Sequence, residues 1–237
     1  MFEKCAARFQ HLLFILVVIM PFGKLLTGCF GYTFSIFSVP VFTVVTAIIA
    51  FGAMVFSNAT KDKTQRNGLN ILIYLLTPLS VVNAFLCIME CKNPLVVISC
   101  VVCVLCCFAL TAMGGEKMIV KIAVILLSGV MLIPVGFVGL FALIIGNFGQ
   151  NTVVKTVESP NGIYYAEVIN SDQGALGGDT IVNVRRDRTF NALFVTIEEK
   201  TKRVYLGEWG TYVDMDIYWK DDECLVINSK EYEVGLN

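Results

Sequence analysis

The chain has 237 residues, of which 56% are hydrophobic and only 16% charged, with a formal net charge of −1. A mean hydropathy of +0.73 excludes an ordinary water-soluble globule, and neither half of the chain is basic enough to suggest a nucleic-acid partner. The neutrality hides a division: residues 1–147 carry nine Lys/Arg and four Asp/Glu (+5), whereas residues 148–237 carry nine and fifteen (−6).

A helix needs roughly 20 apolar residues to cross about 30 Å of hydrocarbon. Five stretches meet that requirement, at about 12–30, 35–57, 69–89, 95–113 and 118–146. The first is the weakest, because Pro21, Gly23 and Lys24 interrupt it. The fifth is long for one crossing and too short for two, and tilt or a kink at Pro134 absorbs the excess. Residues 1–147 are therefore expected to form a transmembrane helical bundle with the lipid bilayer as its solvent.

Basic residues accumulate on the cytoplasmic side of a membrane. Lys4, Arg8, Lys61, Lys63, Arg66, Lys117 and Lys121 fall on one side of the five-span arrangement, and Lys24 and Lys92 on the other. Seven against two predicts a cytoplasmic N-terminus and, after five crossings, an extracytoplasmic domain from residue 148 to 237. The first stretch has a second reading. Lys4 and Arg8, the apolar run Leu12–Phe22 and then Leu26-Thr27-Gly28-Cys29 resemble a bacterial lipoprotein signal with Cys29 as the acylated residue. Two helices joined by a Gly-rich turn is the reading favoured here, and both leave the second helix entering from outside.

Cys100, Cys103, Cys106 and Cys107 sit together in the fourth span. Thiolates binding a metal there would have to ionise in hydrocarbon, so small apolar packing is expected. Only Cys224 lies in the polar half, and a lone thiol cannot staple its own domain. His11, the sole histidine, lies at the start of the first span, so no Ser/His/Asp or Cys/His arrangement can be built in the polar half. The spans offer Asn83 and scattered Ser/Thr but no midplane carboxylate or histidine.

From Asn151 the hydrophobic period changes to two, which predicts strands. Candidates are Thr152–Glu158, Ile163–Asn170, Thr180–Arg186, Ala192–Glu198, Arg203–Glu208, Thr211–Trp219, Cys224–Asn228 and Tyr232–Leu236. Ser159-Pro160-Asn161-Gly162 and Lys220-Asp221-Asp222-Glu223 read as turns. In Thr211–Trp219 the alternation assigns Val213, Met215, Ile217 and Trp219 to a core face. The expected fold is an all-α membrane bundle of about five helices followed by a small antiparallel all-β domain.

The run Ser159–Val168 leading into Asp172-Gln173-Gly174-Ala175-Leu176-Gly177-Gly178-Asp179-Thr180 resembles a family of small Gram-positive bacterial membrane proteins. Their C-terminal domain is of unknown function. The resemblance implies a bacterial plasma membrane and assigns no activity.

The glycine-rich loop is the most distinctive candidate site. Asp172, Gly174, Gly177, Gly178 and Asp179 would cradle an anion with backbone N–H groups, cup a cation, meet a protein partner, or simply permit a tight crossover. Asp214 and Asp216, at i and i+2, read as a solvated strand face rather than an acid/base pair. Arg185, Arg186 and Arg188 form a basic knot that would meet lipid headgroups or balance nearby acids, and the second reading is favoured. No cofactor or metal is expected. The leading expectation is a non-enzymatic membrane protein whose outer β domain binds or senses an envelope ligand or partner. The alternative is an accessory subunit of a membrane transport complex, with the bundle as the working part.

Overall fold

The computed structural model describes residues 2–59, 70–113, 118–145, 150–174, 177–186 and 189–234. Lys61, Lys63, Arg66, Lys117, Ala175, Leu176, Arg188 and the end of the last expected strand lie outside them. Five helices among the described residues are long and apolar enough to cross a membrane. They are α1 (Phe2–Cys29), α2 (Val39–Ala59), α3 (Asn70–Glu90), α4 (Pro94–Met113) and α5 (Met118–Ile145). A strand β1 (Tyr32–Ile36) lies between α1 and α2, and nine strands follow α5. The chain divides into two compact units. One comprises Met1–Gly28, Phe34–Gly146 and Leu193–Val195; the other comprises Cys29–Thr33, Asn147–Ala192 and Thr196–Asn237.

In the helical unit, α1 runs unbroken through Pro21, where the sequence suggested an interruption. A membrane helix tolerates the lost N–H bond because its neighbours and local adjustments satisfy the freed carbonyl. Gly23 is needed for a different reason: the Phe34 ring lies on it, 2.5 Å from where a Cβ would stand. Gly52 likewise receives Phe9, whose ring also stacks on Phe56 at 5.2 Å. The second helix begins at Val39 rather than Ser35. Tyr32-Thr33-Phe34-Ser35-Ile36 is aromatic and β-branched with polar alternation, which suits a strand. Pro40 then falls in the first helical turn, where a missing N–H costs nothing. Asn93 caps α4, accepting the Leu95 N–H on Oδ1 at 2.8 Å, with Pro94 at the first helical position.

Helix α4 packs against α2 and α3, and α5 against α3 and α4. Leu13, Val17, Ala50, Leu76, Cys107 and Leu110 lie in one buried cluster together with Cys103 and Cys106. Those cysteines thus fill the bundle core as small apolar groups.

The remaining strands are β2 (Gln150–Glu158), β3 (Tyr164–Asp172), β4 (Gly178–Arg186), β5 (Thr189–Ala192), β6 (Val195–Glu199), β7 (Lys202–Glu208), β8 (Ile217–Trp219), β9 (Cys224–Ile227) and β10 (Lys230–Glu233). The sheets run β2-β3-β4-β7, β8-β9-β10 and β1-β6-β5. Strands β3 and β4 pair without a break from Tyr164↔Arg186 to Asp172↔Gly178, and β2 carries a bulge between Val153 and Lys155. The four-stranded and β8-β9-β10 sheets close over one core of Ala166, Val168, Val182, Val184, Ile217 and Leu225. Trp219 links them by donating its Nε1–H to the Val157 carbonyl at 3.0 Å.

Three strand expectations are corrected. Ala192–Glu198 does not begin as one strand: Ala192 ends β5, Leu193 and Phe194 turn the chain, and the strand expected there starts only at Val195 as β6, because Leu193 adopts φ +52° and a left-handed residue breaks the pleat. Thr211–Trp219 is a strand only from Ile217. Its first residues fold back instead, with the Thr211 N–H on the Glu208 carbonyl and the Val213 N–H on the Gly210 carbonyl. Val213 is accordingly 71% exposed, while Met215 and Ile217 are buried. The last strand starts at Lys230, two residues earlier than expected. Asn228 and Ser229, at φ 49° and 67°, form a two-residue hairpin turn.

Candidate functional site

The loop between β3 and β4 closes on itself. The Gly174 N–H donates to Asp172 Oδ1 at 2.7 Å, and the Gln173 N–H donates to the Gly177 carbonyl at 2.8 Å. Gln173 Nε2 donates to Asp179 Oδ2 at 3.0 Å. Gly174 and Gly177 take φ +63° and +94°, values that favour glycine. Asp172, Gly174, Gly177, Gly178 and Asp179 therefore lie together in one hairpin loop. Part of their hydrogen-bonding capacity is already engaged within the hairpin.

Gly178 has a second role that the sequence did not reveal. A Cβ there would stand 2.5 Å from the Ser171 carbonyl oxygen and 2.7 Å from the Trp209 ring. The indole of Trp209 thus lies over the glycine, and its Nε1–H donates to Asn170 Oδ1 at 3.0 Å. Trp209 as a residue remains 55% exposed. It is held in place yet open to solvent, beside the polar groups of the loop. Pairing of β4 with β7, Asp179↔Glu208, delivers Trp209 to this position.

The turn Ser159–Gly162 forms as its composition predicts. Ser159 Oγ donates to Asn161 Oδ1 at 2.8 Å, Gly162 takes φ +71°, and the Asn161 N–H reaches Asp222 Oδ1 at 3.0 Å. Arg185 pairs with Glu167 at 2.7 Å and lies over the Tyr165 ring. Arg186 donates from Nη2 to the Tyr164 hydroxyl at 2.8 Å and lies 3.5 Å from Glu199. The Tyr164 bond, with Glu199 nearby, holds its guanidinium above the ordinary arginine range. Both arginines balance local partners. Asp214 and Asp216 are exposed and lie before β8, not on a strand face. Cys29 ends α1 and is exposed. Among the described residues, no three His, Cys, Asp or Glu side chains converge to hold a metal ion.

The helical unit contains a buried polar seam. Thr77 and Thr111, both fully buried, bring their hydroxyls to 2.6 Å, and Thr77 Oγ1 also donates to the Cys107 carbonyl at 3.1 Å. Thr43, Thr46, Ser80, Asn83 and Ser99 are buried as well. Thr43, Thr46 and Ser80 donate to carbonyls of their own helices, as hydroxyls in a bundle core commonly do.

Compared with protein-family models, with curated proteins and with solved structures, the chain finds no match.

Proposed function

We propose that this multi-pass membrane protein is non-enzymatic and resides in a bacterial plasma membrane. Its N-terminus is cytoplasmic, and its β unit contacts an envelope ligand or protein partner. The contact face is centred on Trp209 and the Asp172–Asp179 loop. The observation that carries this reading is the exposed indole fixed on Gly178. A large aromatic ring whose orientation is already set loses little entropy on binding, which is why Trp is enriched among contact residues. The bias of basic residues toward one side of the spans supports the orientation. The resemblance of the Ser159–Thr180 region to small Gram-positive membrane proteins supports the compartment.

Two measurements on the full chain test the proposal. The full chain is required because residues 150–237 alone would lack Gly31 and Thr33, which bond the Lys200 N–H and the Glu198 carbonyl. An Asp214→Cys variant should react with an impermeant maleimide in intact cells; reaction only after lysis would place the β unit inside. A photo-crosslinking residue at Gln173 should capture an envelope component, with Trp209→Ala reducing the yield several-fold. Equal yields would remove Trp209 from the contact face.

A second reading, an accessory subunit of a transport complex, draws on α5. Its outward apolar side chains, Leu126, Val130, Ile133 and Phe137 among them, are exposed in the single chain, and a partner helix would fit them as lipid does. A crosslink from Ile133 to another membrane protein, with none from Gln173, would favour it.

A further inference from the structure

A small cavity of about 10 Å³ lies among α2, α3 and α4, lined by the polar Thr43, Thr46, Ser80 and Asn83 and by Ala84, Cys100 and Cys103. We propose that it is a binding site for one water molecule, which joins the three helices inside the membrane bundle.

Depth is consistent on all three helices. Thr43 and Thr46 stand four and seven residues inside the start of α2, Asn83 seven residues before the end of α3, and Cys100 six residues inside α4. At 1.5 Å per residue these four lie about 6–11 Å from the helix ends, and Ser80 and Cys103, ten and nine residues in, lie about 14–15 Å from them.

The polarity of the lining selects the guest. Each hydroxyl hydrogen is already directed at its own helix: Thr43 Oγ1 donates to the Pro40 carbonyl at 3.0 Å, Thr46 Oγ1 to Phe42 at 2.7 Å, and Ser80 Oγ to Thr77 at 2.7 Å. What these groups retain is lone pairs. Asn83 supplies the opposite sign. Its Oδ1 faces the Cys87 thiol at 3.9 Å, and its amide nitrogen carries two donor hydrogens. The side chain is only 4% exposed.

A guest must therefore accept from Asn83 and donate to hydroxyl oxygens. Water does both. A bare monovalent cation would satisfy the lone pairs but repel the amide hydrogens, and no carboxylate is among the residues lining the cavity to balance its charge. The volume matches one water, which needs roughly 10–15 Å³ and two to four polar partners.

The test uses the full-length protein in detergent micelles, labelled with ¹⁵N-asparagine. The Asn83 side-chain amide is assigned as the pair of signals missing in Asn83→Ala. A cross-peak from these hydrogens to water, with the sign of dipolar contact rather than chemical exchange, is expected, and its absence would overturn the site. Asn83→Leu should lower Tm by roughly 2–4 °C, whereas a rise would mean the cavity is dry. Replacing sodium by choline should leave the wild-type Tm unchanged; a sodium-dependent rise would identify a cation instead and overturn the assignment. Should the leucine variant fail to fold, the cross-peak in the wild-type protein decides alone.

Discussion

The Lys24 ammonium, in the last turns of α1, stands 2.9 Å from the Glu90 carboxylate that ends α3. Both side chains are partly buried, and Glu90 Oε1 also lies 3.4 Å from the Ile36 N–H. An ion pair at helix ends in an apolar bundle is screened less than one in water. Removing one partner leaves a charge without a counter-ion. Lys24→Met and Glu90→Gln should each lower the thermal stability of the detergent-solubilised protein. The double variant should be more stable than the two single losses imply, with a coupling of about 1 kcal/mol. Strict additivity in that cycle would show that the pair contributes nothing.

The seat of Trp209 gives the second prediction. Gly178→Ala forces a Cβ against both the Ser171 carbonyl and the indole, and neither backbone nor a hydrogen-bonded ring yields easily. A cost of about 1–3 kcal/mol is expected, together with a change in tryptophan fluorescence as the ring is displaced. Gly177→Ala meets open space but must hold φ +94°, so it should destabilise through backbone strain while leaving the emission spectrum unaltered. Identical spectra for the two variants would contradict the packing of Trp209 on Gly178.

Local patterns in this chain were legible and long-range pairings were not. Apolar run length announced all five helices, since crossing hydrocarbon is a demand on composition. Turns at Ser159–Gly162 and Asp172–Gly178 were readable because Asn, Asp and Gly act on their own backbone neighbours. Strand β1 was hidden, because Phe34 and Ile36 count equally toward a helix or a strand in an apolar run. The alternation at Val213 misled, because period two says nothing about whether a strand pairs. Trp209 on Gly178 and Lys24 beside Glu90 join residues 31 and 66 positions apart, and no local rule encodes such contacts. Asn83 was visible in sequence only as a stray polar residue; its cavity needed three helices to be placed.

Cys224 gives a prediction in pH. Its thiol lies 3.8 Å from Glu231 Oε2, and partial burial together with the Glu231 and Asp221 carboxylates raises it above the usual thiol range. The Lys220 ammonium, bonded to Glu231, keeps that carboxylate below its usual range and therefore charged. Because the thiolate is the nucleophile, maleimide labelling of Cys224 near pH 7.5 should be slower than that of a free cysteine and should climb steeply toward pH 9. Glu231→Gln removes the nearest negative charge and should speed labelling at pH 8, measured by mass spectrometry of the Cys224 peptide. A pH profile identical to that of a free thiol would show that the carboxylate does not govern the group.

The threonine pair in the bundle supplies the last prediction, and it follows from counting protons. Each hydroxyl has one hydrogen. If Thr77 donates to the Cys107 carbonyl at 3.1 Å, the 2.6 Å contact requires Thr111 to donate to Thr77. Thr111 has a weaker alternative in the Ile73 carbonyl at 3.5 Å, whereas Thr77 is the acceptor on which the chain of bonds turns. Thr77→Val removes both of its bonds yet leaves Thr111 that second carbonyl; Thr111→Val removes one bond and leaves Thr77 donating to Cys107. Hydroxyl bonds between membrane helices contribute about 0.6 kcal/mol on average and at most about 1.7. Thr77→Val should therefore cost roughly 1 kcal/mol and Thr111→Val about half as much. The double variant should cost less than their sum, because the shared bond is counted in both. Unfolding of the full chain in mixed micelles checks the order. If Thr111→Val proves the costlier change, the donor direction is reversed, with Thr77 giving its hydrogen to Thr111 and the Cys107 carbonyl left without it.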